Sequence, residues 1–276
     1  MNLDYLLGNI KDEKPLDNIV TDGGFTCMLR NIVCVGDSLS SGEFQHKVGV
    51  KEDGTIEWDF VDNYDFSWGQ FMARASGTKV YNFSRGGMTT REYIKTFADS
   101  KGFFNEDIKA EAYVIALGVN DFGWAGVEMG EVGDINVEDY TQNKETYAGY
   151  MGQIISKYKK ISPDARFFLV VPPKDLGDME KRKRHQALLY EIAKLYTHTF
   201  VIDLFEYGPY FGDKDFREKY FMYGHMTPAG YIFFSKLIVS YIDYIIRHNF
   251  REFKLIGFAN TPKYDEKDAL APFEDM

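Results

Sequence analysis

Five short runs of apolar, β-prone residues punctuate the chain, at 32–35, 79–83, 113–117, 167–171 and 199–204. Between them lie stretches whose apolar positions recur at helical spacing, notably 67–75, 140–159 and 180–196. Strands alternating with helices predict parallel βαβ units and an α/β fold, a three-layer αβα sandwich around a five-stranded parallel sheet. Right-handed crossovers with a switch point beside the first strand lead to the flavodoxin-like order 2-1-3-4-5. The last helix has the sharpest start: Thr227 is a good N-cap and Pro228 falls where a missing N–H costs nothing. Behind it Ile232, Phe233, Leu237, Ile238, Tyr241, Ile242 and Ile245 form a broad apolar face. These elements predict one domain over residues 1–276, with a core at about 31–248, an N-terminal extension at 1–30 and a tail at 249–276. Within the tail, 253–258 reads as a short extra element, and the residues beyond Pro262 as polar and loose.

The chemistry collects at the C-terminal ends of the expected strands, where open α/β sheets bind ligands. The first run stops at Gly36-Asp37-Ser38-Leu39, leaving Ser38 just past the strand. By itself this is also an ordinary turn, since Gly, Asp and Ser are all turn formers. Three further segments supply other parts of acyl transfer in a usable order: Asn82-Phe83-Ser84-Arg85-Gly86-Gly87, Gly118-Val119-Asn120-Asp121, and Gly224-His225-Met226-Thr227-Pro228 ahead of the last helix. In these four blocks the chain resembles the SGNH (GDSL) hydrolase family. The resemblance runs from about Asn31 to the helix after His225, and it implies a serine esterase with Ser38 as nucleophile and His225 as general base. It further implies an oxyanion hole made by Ser38, Gly87 and Asn120, although Gly86 beside Gly87 blurs that register by one. The logic is coherent, because a serine hydroxyl needs a base to take its proton and the tetrahedral intermediate needs donors where charge develops. The Gly-x-Ser-x-Gly elbow of the α/β-hydrolases is absent from the sequence.

One position departs from the family pattern. The aspartate expected three residues before the histidine is Met222 here. In known triads the third member holds the imidazole tautomer and stabilises imidazolium, and its loss costs about 10⁴-fold in kcat. Three alternatives follow: a replacement carboxylate, with Asp203, Glu206, Asp213, Asp215 and Glu218 nearest in sequence; a Ser–His dyad oriented by a backbone carbonyl; or a non-catalytic carbohydrate- or ester-binding module on the same scaffold. Acyl transfer to an acceptor other than water is a further alternative. Two long segments, 41–66 with His46 and Trp58 and the glycine-rich 122–139 with Trp124, read as loops that either wall the pocket or decorate the surface.

Composition narrows the remaining classes. Of 276 residues, 45% are hydrophobic and 27% charged, as in ordinary globular proteins. Thirty-two Lys and Arg against 42 Asp and Glu give −10, a field that repels polyanions and argues against nucleic acid as a partner. The basic run Lys181, Arg182, Lys183 and Arg184 reads as a solvated helix face. Aromatic residues reach 16%, suiting core packing or a sugar- or acyl-stacking cleft. The expected partner is a small-molecule or carbohydrate ester. Two cysteines, Cys27 and Cys34, give no disulfide framework, and no signal-peptide pattern follows Met1, so a cytoplasmic protein is expected. The nearest approach to a membrane span, 237–246, is interrupted by Asp243. No phosphate-loop or metal-ligand spacing is present, so neither cofactor nor metal is expected. His185, His198 and His248 read as surface or capping residues.

Overall fold

The structure is a computed structural model that describes residues 12–267. Its strands are β1 (Asn31–Gly36), β2 (Glu43–Val50), β3 (Ile56–Asp62), β4 (Lys79–Ser84), β5 (Ala112–Ala116), β6 (Arg166–Val171), β7 (Thr199–Asp203), β8 (Phe221–Met222) and β9 (His225–Met226). Five of them form a parallel sheet in the order β4-β1-β5-β6-β7, which is 2-1-3-4-5 counted along the sheet-forming strands. Every one of the five expected runs is a strand, within two residues at either end.

The near-continuous apolar runs follow from burial on both faces. Val33, Val35, Tyr113, Ile115, Phe167 and Leu169 point to one side, against helices Tyr147–Ile161 and Met179–Leu195. Ile32, Cys34, Val114, Phe168 and Val170 point to the other, against Trp68–Ser76 and Pro228–His248. The last helix starts as its sequence indicates, with the Thr227 hydroxyl accepting from Gly230 N–H at 3.1 Å. It is long and apolar enough to cross a membrane, but 72% of its most apolar window is buried in this fold. Its Asp243 binds Arg247 at 2.8 Å and the Phe25 N–H at 2.8 Å, which ties residues of the N-terminal extension to the core.

Three expectations are corrected. The segment 41–66 is mostly an antiparallel hairpin, β2 paired with β3, because its alternating side chains and Asp53-Gly54 turn favour a ribbon over a loop. The helix expected at 140–159 begins only at Tyr147, capped by Thr146; residues Tyr140–Gln142 form a separate 3₁₀ turn. The tail past Pro262 is docked through Tyr264 and Glu266, since buried Arg166 needs acceptors and Tyr264 Oη takes one of its N–H groups at 3.0 Å. Glu266 also meets His198. The portions of the extension and tail at 1–11 and 268–276 lie outside the described residues.

Candidate active site

β1 ends at Gly36, where a Cβ would stand 2.0 Å from the Ser40 hydroxyl oxygen, so only glycine lets the chain fold back this tightly. Asp37 then caps the short helix Ser38–Ser41: its side chain accepts from Leu39 N–H at 3.2 Å, and its carbonyl from Ser40 and Ser41 N–H. Ser38 is thereby held at the first helical position, where the backbone N–H is outside the helix's own bonds. Burial pushes the Asp37 carboxyl up to about 7, against the lowering pull of the Leu39 N–H and His225.

Past β4, a turn closed by Met88 N–H on the Arg85 carbonyl at 3.2 Å carries Gly87 at φ +69°. Open space lies where a Cβ of Gly87 would point. The neighbouring Gly86 N–H donates to both carboxylate oxygens of Asp62 at 3.1 Å. The Gly86 N–H is thus already paired, which leaves Gly87 N–H as the candidate donor of the two.

Past β5, Gly118 at φ +132° starts the short helix Val119–Phe122 that presents Asn120. The Asn120 amide is held at both ends. Its Nδ2 donates to the Met88 carbonyl at 3.1 Å, and its Oδ1 accepts from Trp124 Nε1 at 3.2 Å. One N–H of the amide is thus anchored next to Gly87 and the other remains free. Asp121 serves a different purpose: buried, it accepts from Thr90 N–H and, at 2.6 Å, from the Thr90 hydroxyl, locking this block to the residues after Gly87. Burial raises its carboxyl above the usual range despite those bonds.

His225 sits on β9, directly opposite Met222 of β8, in a hairpin whose Tyr223 takes φ +60°. Among the described residues, none of the carboxylates Asp203, Glu206, Asp213, Asp215 and Glu218, nor a backbone carbonyl, holds the ring, whose two nitrogens meet Gln45 and Glu43. Asp203 instead accepts from Gln186, Tyr190 and the Glu206 N–H, because it ends β7 and caps the next turn. Asp213 caps the helix Lys214–Tyr220, and Glu218 faces Lys214. The ring is held by the hairpin that follows the nucleophile turn. His225 Nδ1 lies 3.2 Å from Gln45 Oε1, which also accepts from Gly224 N–H at 2.9 Å. An atom receiving a backbone N–H is the amide oxygen, so Nδ1 carries a hydrogen. His225 Nε2 lies 2.9 Å from Glu43 Oε1, and the Phe60 ring packs on the imidazole edge-to-face. Glu43 and Gln45 are missed when 41–66 is read as a loop; in the hairpin, alternation puts 43 and 45 on one face, but nothing in the sequence says that this face meets His225.

Ser38, Asp37, Asn120 and His225 line one cavity of about 280 Å³, walled by Pro172, Pro173 and Arg217. Arg182, expected on a solvated face, also lines it and pairs with Asp175. Val119 and Arg182 connect it to a second cavity of about 200 Å³ that reaches His185. That histidine is buried rather than superficial: its Nε2 meets Tyr147 Oη at 2.7 Å, and burial pushes its imidazole down to about 3, leaving it neutral. His248, by contrast, is a helix-end residue on the Tyr244 carbonyl.

The profile of the GDSL-like lipase/acylhydrolase family matches residues 32–238. None of the curated protein sequences matches significantly. A crystal structure 23% identical to this chain covers 79% of it and 98% of its own length, with a TM-score of 0.58. A family two carbohydrate esterase from Clostridium thermocellum, in complex with cellohexaose, is 15% identical over 87% of this chain and 66% of its own, with a TM-score of 0.53. A carbohydrate esterase family 2 enzyme with a carbohydrate binding domain, from Corynascus thermopiles (Myceliophthora fergusii), is 18% identical over 79% of this chain and 66% of its own, with a TM-score of 0.51. At these identities the likeness is one of fold, and the chain spans about two thirds of the two esterases' length.

Proposed function

The chain belongs to the GDSL-like lipase/acylhydrolase family, and on that premise we propose that it is a serine esterase that forms an acyl-enzyme on Ser38. What carries the reading is that Ser38, Asn120 and His225, from three separate blocks of sequence, line the same cavity. The Ser38 hydroxyl attacks the ester carbonyl while its proton passes to the imidazole of His225, which lines the same cavity. The Ser38 and Gly87 N–H groups and the free N–H of the Asn120 amide receive the developing oxyanion. The imidazolium then protonates the departing alkoxide, and water repeats the sequence on the acyl-enzyme with His225 again as base.

The substrate class is an O-acyl group, an O-acetyl above all, on a carbohydrate. The cavity is small, and its surroundings carry aromatic faces of the kind sugars stack on: Trp124, 68% exposed beside Asn120, and Tyr223, 54% exposed and packed on Trp58 at 4.3 Å. The two esterases named above lend the same class by analogy of fold. Met222 in place of the family aspartate favours a second reading, a carbohydrate-binding module without turnover. A fluorophosphonate probe separates the two. Labelling of the wild type, lost in Ser38→Ala, together with release of acetate from an acetylated sugar supports the esterase; an unlabelled, folded wild type that still binds the sugar refutes it.

A further inference from the structure

The geometry points to Trp124 as a positioning residue for the oxyanion hole: its indole N–H fixes which end of the Asn120 amide faces the reacting ester. This rests on the esterase reading above and specifies a residue within it. Trp124 stands four residues past Asn120, and its Nε1 donates to Asn120 Oδ1 at 3.2 Å. The backbone is built to deliver it. The helix Val119–Phe122 ends on Gly123, whose N–H bonds the Val119 carbonyl at 2.9 Å and where a Cβ would stand 2.9 Å from that same oxygen, so the close approach needs a glycine. Beyond Trp124, Ala125 N–H bonds the Asn120 carbonyl at 3.1 Å and Val127 N–H the Asp121 carbonyl at 2.9 Å, which ties both sides of the tryptophan to the block that carries Asn120. The side chain itself is 68% exposed, so core packing does not account for its place.

Orientation matters at Asn120 because the two ends of an amide have opposite polarity. Turned half a revolution about its last side-chain bond, Asn120 would set Oδ1 where Nδ2 now stands and offer lone pairs to a developing oxyanion. Each of its two partners accepts only the orientation seen. The Met88 carbonyl can only accept, and it takes an N–H of Nδ2 at 3.1 Å; the indole Nε1 can only donate, and it meets Oδ1. A turned amide loses both bonds and sets oxygen against oxygen and N–H against N–H. The second Nδ2 hydrogen therefore stays available to the substrate oxygen.

The indole bond has a second effect of the same sign. Donation into Oδ1 polarises the amide and makes the remaining N–H a better donor to an anion. Through this bond Trp124 acts on the reaction by way of Asn120, separately from any stacking of its ring on a sugar. The two roles come apart by substitution, since Trp124→Phe keeps an aromatic face and removes the donor. They also come apart by substrate, because an aryl acetate presents no sugar to stack.

The test is steady-state hydrolysis of para-nitrophenyl acetate and of an acetylated sugar by wild type, Trp124→Phe, Asn120→Ala and the double variant, with circular dichroism and thermal melts confirming the fold of each. On both substrates Trp124→Phe is expected to lower kcat roughly 3- to 10-fold, the size of one neutral hydrogen bond, with KM little changed. In the Asn120→Ala background the same substitution should have no further effect, because the group it acts through is gone. An equal fall in both backgrounds assigns Trp124 a general structural role and overturns the inference. Unchanged kcat in Trp124→Phe also overturns it, and a change confined to KM on the acetylated sugar leaves Trp124 as a stacking surface only. Full turnover in a folded Asn120→Ala variant removes the group through which Trp124 would act and overturns the inference as well. Failure of the wild type itself to label with the fluorophosphonate or to turn over refutes the esterase reading instead, so the two failures are distinguishable.

Discussion

Replacing Asn120 by alanine separates the proposed oxyanion hole from the scaffold around it. The substitution removes an amide whose Nδ2 bonds the Met88 carbonyl at 3.1 Å and whose Oδ1 takes Trp124 Nε1 at 3.2 Å. If the free N–H of that amide meets the oxyanion, its loss raises the barrier by about 2.7–4 kcal/mol and lowers kcat about 10²–10³-fold. Because the interaction strengthens only in the transition state, kcat and kcat/KM fall together while KM stays nearly constant. A stability cost is expected as well, since the Met88 carbonyl loses its donor. A buried acceptor left unpaired costs about 1–3 kcal/mol. For a chain of this size about 1 kcal/mol corresponds to a fall of roughly 2–4 °C in Tm. Steady-state hydrolysis of an acetyl ester with matched thermal melts reads both quantities. A folded variant whose kcat stays within about threefold of wild type refutes the oxyanion role and leaves Asn120 as a brace for the Met88 turn.

Two buried titratable groups oppose one another in the pH dependence of stability. Asp37 is raised to about 7 from 3.8, so between those values the folded state binds the extra proton and stability falls as pH rises; His185 is lowered to about 3 from 6.5, so over that window the unfolded state binds it and stability rises. Urea titrations between pH 4.5 and 6 should therefore show Asp37→Asn changing the slope of unfolding free energy by up to about +1.4 kcal/mol per pH unit, and His185→Gln by about the same with opposite sign; parallel slopes in all three proteins would contradict the burial argument. Met222→Asp places a carboxylate next to His225 on the same hairpin face. By supplying a charged partner to the imidazolium it should raise kcat several-fold, and unchanged or lower turnover in a folded variant would refute the need for one.

The sheet and the order of its strands were legible because parallel strands buried on both faces must be nearly continuous apolar runs, and those runs are local in sequence. That Ser38, Asn120 and His225 gather at one cavity was legible for a related reason. Each follows a strand or precedes a helix whose boundary is marked by glycine, a cap or Pro228, and the α/β architecture collects such junctions along one edge of the sheet. Which of the two glycine N–H groups is already paired was not local, since it depends on Asp62, 24 residues away in sequence, accepting the Gly86 N–H.

Glu43 and Gln45 show the limit most clearly. The alternation along 43–50 and 56–62 around Asp53-Gly54 is that of a hairpin, but read as a loop it gives neither the ribbon nor its destination. A two-stranded ribbon has no apolar run long enough to dictate where it packs. Here it is settled by contacts with residues about 180 positions later: Gly224 and His225 on Gln45, His225 on Glu43, Tyr223 on Trp58, and Tyr231 on the Glu43 carbonyl. Sequence alone determined the five strands of the sheet, their order and which residues stand at their ends, because burial and turn geometry act over a few residues. Only the tertiary structure decided which acid and which amide hold the histidine, because hydrogen-bond partners distant in sequence are chosen by how two surface hairpins pack together.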